Sequence, residues 1–157
     1  MLKPASAGFF IAFTYISPMT ITNRVENHFQ NLTFTKEEAL RALYQLIREE
    51  IPQAELHFFD GLNEEGKVVT NPTIGFGKSR IYYTNGSFQD TFRIGIYATS
   101  AGLSIHILGL KDKNFLNEFL GTRLGKAKIT GYAIRFGKMS DIDEGVLREL
   151  VRIVVKS

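Results

Sequence analysis

The sequence predicts an α+β fold, one antiparallel sheet with helices packed on one of its faces. Three observations lead there. Apolar residues recur at helical spacing near both ends of the chain, and from Glu55 to Gly109 the period changes to two. Turn residues, Asn85-Gly86 above all, separate the alternating runs as they separate the strands of hairpins. Hairpins make neighbouring strands antiparallel, and such a sheet can leave one face open.

The elements follow in chain order. Thr22 to Gln30 reads as a short helix capped by Thr22 or Asn23, with Val25 and Phe29 on one side. Thr35 opens a longer helix, because Thr35 and Glu38 make a T-x-x-E capping box in which each side chain satisfies a backbone donor. Leu40, Leu43, Leu46, Ile47 and Ile51 form its apolar stripe, and Pro52 stops it. Glu55 to Asp60 reads as a strand and Gly61 to Lys67 as a polar turn. Further strands are expected at Thr73–Gly77, Ser79–Thr84, Asp90–Thr99 and Leu103–Leu108, the last two joined by Ser100-Ala101-Gly102. A helix from Asp112 to Leu120 ends at Gly121, and Ile129–Phe136 is the final strand. Ser140 is expected to cap the last helix, with Asp143 three residues on. That helix buries Ile142, Val146, Leu147, Leu150, Val151 and Val154.

At 157 residues, 44% hydrophobic and 22% charged, the chain has the size and composition of one globular domain. A net charge of +3 without any run of lysine and arginine argues against a nucleic-acid arm. The absence of cysteine excludes disulfides, thiolate metal sites and thiol nucleophiles, and fits a reducing cytoplasm. No stretch is long and apolar enough for a membrane span. Ala7 to Ile16 has the length of a signal-peptide core, but only Lys3 precedes it, no small-x-small site follows and Pro18-Met19 interrupts. The expectation is an N-terminal extension, with Met19 as the natural start.

The last third of the chain runs Leu120-Gly121-Thr122-Arg123-Leu124-Gly125-Lys126-Ala127-Lys128-Ile129, then Tyr132 to Phe136, then Gly137-Lys138-Met139-Ser140-Asp141-Ile142-Asp143. Upstream stand Ile74-Gly75-Phe76-Gly77, Tyr82-Tyr83, Phe92-Arg93-Ile94-Gly95 and Leu103-Ser104-Ile105. Together, over Leu32 to Val155, this pattern resembles the YdhG-like family of small α+β domains, most of them of unknown function. Some members are proposed as frataxin-like iron chaperones. The resemblance implies a domain over residues 32–157 behind an extension, 1–31, that is partly disordered and holds a short helix. It also implies a non-enzymatic protein that holds Fe2+ weakly on carboxylates for an iron-acceptor protein. The matching acidic positions would be Glu37 and Glu38 on the first long helix and Asp141, Asp143 and Glu144 near the last, each a hard oxygen donor. Lys36, Arg41, Arg48, Arg148 and Arg152 are interspersed, a departure from an acidic ridge.

Read from the residues alone, no catalytic constellation emerges. Gly75-Phe76-Gly77-Lys78-Ser79 lacks the earlier glycine of a phosphate loop, where Pro72 stands, and a strand rather than a helix follows. His28, His57 and His106 sit apart without metal-ligand spacing. Ser104 and His106 share a strand face but lack a nucleophile elbow, and Asp60, Glu64, Glu65 and Asp90 read as turn acids. Alternation offers a second site. If Phe92, Ile94, Ile96, Leu103, Ile105, Ile107, Ile134 and Phe136 face the helices, then Arg93, Tyr97, Ser104, His106 and Arg135 face outward, joined by Arg80 and Tyr82. Arg93, Tyr97, His106 and Arg135 would then bind a small anionic or planar ligand, or a protein partner.

Overall fold

The computed structural model describes residues 19–156. The apolar run Ala7–Ile16 lies outside the described residues. The helices are α1 (Ile21–Gln30), α2 (Phe34–Glu50), α3 (Phe115–Leu120) and α4 (Glu144–Lys156). The strands are β1 (Leu56–Phe59), β2 (Thr73–Phe76), β3 (Ser79–Tyr82), β4 (Phe88–Thr91), β5 (Ile94–Thr99), β6 (Gly102–Ile107), β7 (Lys128–Ile129) and β8 (Ala133–Phe136). Six strands form an antiparallel sheet in the order β1-β2-β5-β6-β8-β7, and β3 pairs with β4 as a separate two-stranded ribbon. The α+β architecture with an antiparallel sheet is therefore as the period change indicates, while the ribbon stands outside the expected single sheet. Among the described residues no helix is long and apolar enough to cross a membrane.

One core joins all four α-helices to one side of the sheet. Ile74, Phe76, Ile94, Ile96, Leu103, Ile105, Ile107 and Ile134 are buried against Leu40, Leu43, Leu46 and Ile47 of α2 and Leu147, Leu150, Val151 and Val154 of α4. Both apolar stripes lie where the helical spacing puts them. Glu49 and Glu50 at the end of α2 bind Arg148 and Arg152 of α4, at 2.9 Å for Arg148–Glu49 and 2.6 Å for Arg152–Glu50. These bonds, first from Arg152 and then from Arg148, hold the Glu50 carboxyl below its usual range.

Several boundaries differ from expectation for local reasons. Val25 and Phe29 of α1 belong to the same core as α2, so residues 21–30 are part of the domain and not of an extension. Thr20 caps α1, its hydroxyl accepting from the Asn23 amide at 3.1 Å. The Thr35–Glu38 box does not form: the cap position of α2 lies two residues earlier, at Thr33, with no side-chain cap bond. Ser140 does not cap α4, since Met139–Asp141 is a 3-10 turn. Asp143 takes the role, accepting from the Val146 amide at 3.2 Å. Ile129–Phe136 is not one strand but the hairpin β7–β8 closed around Thr130, and Asp90–Thr99 divides at Phe92-Arg93 between ribbon and sheet. The Asn85-Gly86 turn closes the ribbon as expected, with Gly86 at φ 88°.

Candidate functional site

The helices leave the other side of the sheet open, and cross-strand register fixes what stands there. His57, Gly75, Gly95, His106 and Ala133 form one row, and Tyr97, Ser104, Arg135 and Lys128 form the next. Gly75 opposite Gly95 would leave the middle of the face bare. Phe92 fills it: a Cβ on Gly75 would lie 2.7 Å from the Phe92 Cβ, and one on Gly95 would lie 2.3 Å from its ring. The ring is a ridge that divides the open face into two bays.

The bay beside β1 runs under the ribbon as a cleft of about 720 Å³. Its charges are matched. Lys78 pairs with Glu55 at 3.2 Å, and Arg80 pairs with Asp90 at 2.8 Å while lying 3.8 Å over the Phe88 ring. His57 Nε2 is buried without a hydrogen-bond partner among the described residues, 3.7 Å from Glu55. Arg80 and Tyr82, expected beside Arg135, belong to this cleft and not to the other bay.

The bay beyond Phe92 differs in kind. Tyr97 Oη meets His106 Nε2 at 3.0 Å, and the Tyr132 ring stands edge-on to the imidazole with centroids 5.6 Å apart. Ser104, only 3% exposed, pairs in register with Tyr97 on one side and Arg135 on the other. Burial, and then the nearby Arg135 cation, push the His106 pKa below its usual value, so the imidazole is neutral near pH 7. Arg135 stands directly opposite Lys128 across β7–β8, and among the described residues neither is in an ion pair or a side-chain hydrogen bond. Two unmatched cations thus share one edge of the face.

Of the expected ligand set, Tyr97, His106 and Arg135 come together and Arg93 does not. Arg93 is 7% exposed, and its guanidinium donates to the main-chain oxygens of Val154 at 2.7 Å and Leu108 at 2.6 Å. It donates to a carbonyl in the last turn of α4, where a cation also meets the negative end of the helix favourably. Phe92 makes the opposite exchange, leaving the helix side for the open face. The break between β4 and β5 reverses both side chains, because strand alternation does not carry across residues outside the ladder. A signal was present: two glycines at outward positions of adjacent strands mark a close approach from above.

The carboxylates proposed for iron are occupied or apart. Glu37 binds Arg41 Nε at 2.8 Å, Asp141 accepts from the Lys138 amide at 3.3 Å and Asp143 caps α4, while Glu38 and Glu144 are exposed. Among the described residues no three His, Cys, Asp or Glu side chains are grouped to hold a metal ion. A ferrous ion needs several oxygen donors converging on one point. No family model, curated protein or solved structure matches this chain.

Proposed function

We propose that this chain is a binding module that holds a small anion on the open face of its sheet, without chemical transformation of it. Arg135 and Lys128 supply the charge, Arg135 with a forked donor suited to phosphate or carboxylate and Lys128 as a point charge. Tyr97, His106 and Ser104 supply neutral polar groups beside them. The observation that carries this reading is the Lys128–Arg135 pair, two cations directly opposed in register across β7–β8 on the open face. Like charges facing each other cost stability, roughly 0.2–1 kcal/mol for a cross-strand pair, and a bound anion removes that cost.

Calorimetric titration with inorganic phosphate tests the reading in wild type, Arg135→Gln and Lys128→Gln. Arg135→Gln should weaken binding about tenfold or more, as loss of a charge-assisted bond does. Affinity should also fall as salt rises. Equal affinity in wild type and Arg135→Gln, or no binding by wild type, would overturn it.

A further inference from the structure

We infer that the anion bound by this face is carried on a planar ring, in the manner of a nucleoside monophosphate, with the ring seated on Tyr132. This rests on the anion reading above and adds the part of the ligand that the cations do not explain. Tyr132 is 55% exposed, although it is a large ring standing against His106 on the open face. Strand alternation would turn it away from Ala133 and Arg135, yet its ring lies against His106 on the open side. The Thr130 turn makes this possible: the Thr130 hydroxyl takes the Ala133 amide, and Tyr132 sits in the bend just before the strand.

Distance then selects the ligand. From Tyr132, in the bend before β8, to Arg135 the chain advances three positions, at most about 10 Å at the usual strand rise per residue. That is the reach from a stacked base, across a ribose, to its phosphate. Between the two ends lies Ala133, buried and opposite His106 in register. A free phosphate would use only the Arg135 end. An exposed tyrosine face is apolar and polarisable and takes any planar ring, so the surface discriminates ring-bearing anions from bare ones more than one base from another.

Titration of wild type, Tyr132→Ala and Arg135→Ala with adenosine monophosphate and with ribose 5-phosphate, read as amide shifts by NMR, tests this. Wild type should prefer the nucleotide about tenfold, the ratio that stacking on one aromatic side chain supplies. Tyr132→Ala should erase the preference and leave ribose 5-phosphate binding unchanged, whereas Arg135→Ala should weaken both. Equal binding of the two ligands by wild type would overturn this inference and leave the anion reading standing. A preference that survives Tyr132→Ala would overturn it equally, placing the ring elsewhere on the face. If neither ligand binds wild type, both readings fail.

Discussion

The two faces of the sheet are built from the same strands and obey different rules. On the covered face every position is filled by an aliphatic or aromatic side chain from the regular alternation, and the helices close over it. On the open face the centre is two glycines roofed by one ring, and polar groups gather at either side. Within the ladders the covered face follows alternation throughout, with Arg93 beside them as a charged intruder, while the open face departs from it at its centre. Within the open face the contrast repeats: matched charge in the ribbon cleft, unmatched charge at β7–β8.

The largest effect should come from the covered face. Phe76→Ala removes a fully buried ring and should cost about 3–5 kcal/mol in urea unfolding. A loss below about 1 kcal/mol would break the distinction between the faces.

Arg93→Ala should come next, at roughly 1.5–3 kcal/mol, because it leaves the buried Val154 carbonyl and the half-buried Leu108 carbonyl without their charged donor. The same variant should keep its affinity for phosphate under folding conditions. Loss of phosphate affinity with unchanged stability would return Arg93 to the ligand set.

Gly95→Ala should cost about 1–3 kcal/mol, since its new methyl group meets the Phe92 ring and Thr73. Near-ultraviolet or NMR signals of Phe92 should shift as the ring is displaced. An unshifted ring would mean that Phe92 does not roof the glycines.

Much of this fold was legible because burial repeats. The stripes of α2 and α4, the change to period two and the Asn85-Gly86 turn each depend on several residues in phase, so one exception does not hide them. The open face was half legible. Tyr97, His106 and Arg135 sit inside regular ladders and were placed correctly by alternation. Arg93 and Phe92 sit in the two-residue join between ribbon and sheet, where the twist of the chain and not the period decides direction. Caps were misread for a similar reason: Thr33, Thr35 and Ser140 are all competent, and tertiary packing chooses among neighbours.

Smaller effects sharpen the contrast between the bays. Arg135→Ala should leave stability unchanged or raise it by a few tenths of a kcal/mol, roughly the relief of one like-charge pair. It should also let the His106 pKa rise toward its ordinary value, because one of the causes that depress it is gone while burial stays. As His106 is held neutral by folding, its contribution is fully present above about pH 6.5, the unfolded value, and is lost as pH falls toward the folded one. Histidine proton NMR across this range measures both. A fall in the His106 pKa on Arg135→Ala would show that the guanidinium does not lie where the bay needs it.

The most direct test of the anion-binding face is a map of amide shifts during titration of the isotope-labelled protein with inorganic phosphate. Saturable shifts confined to Tyr97, Ser104, His106, Lys128 and Ala133–Arg135, and absent in Arg135→Ala, are expected. Shifts centred on Glu55, His57 and Lys78 in the ribbon cleft, or no saturable shifts at all, would contradict it.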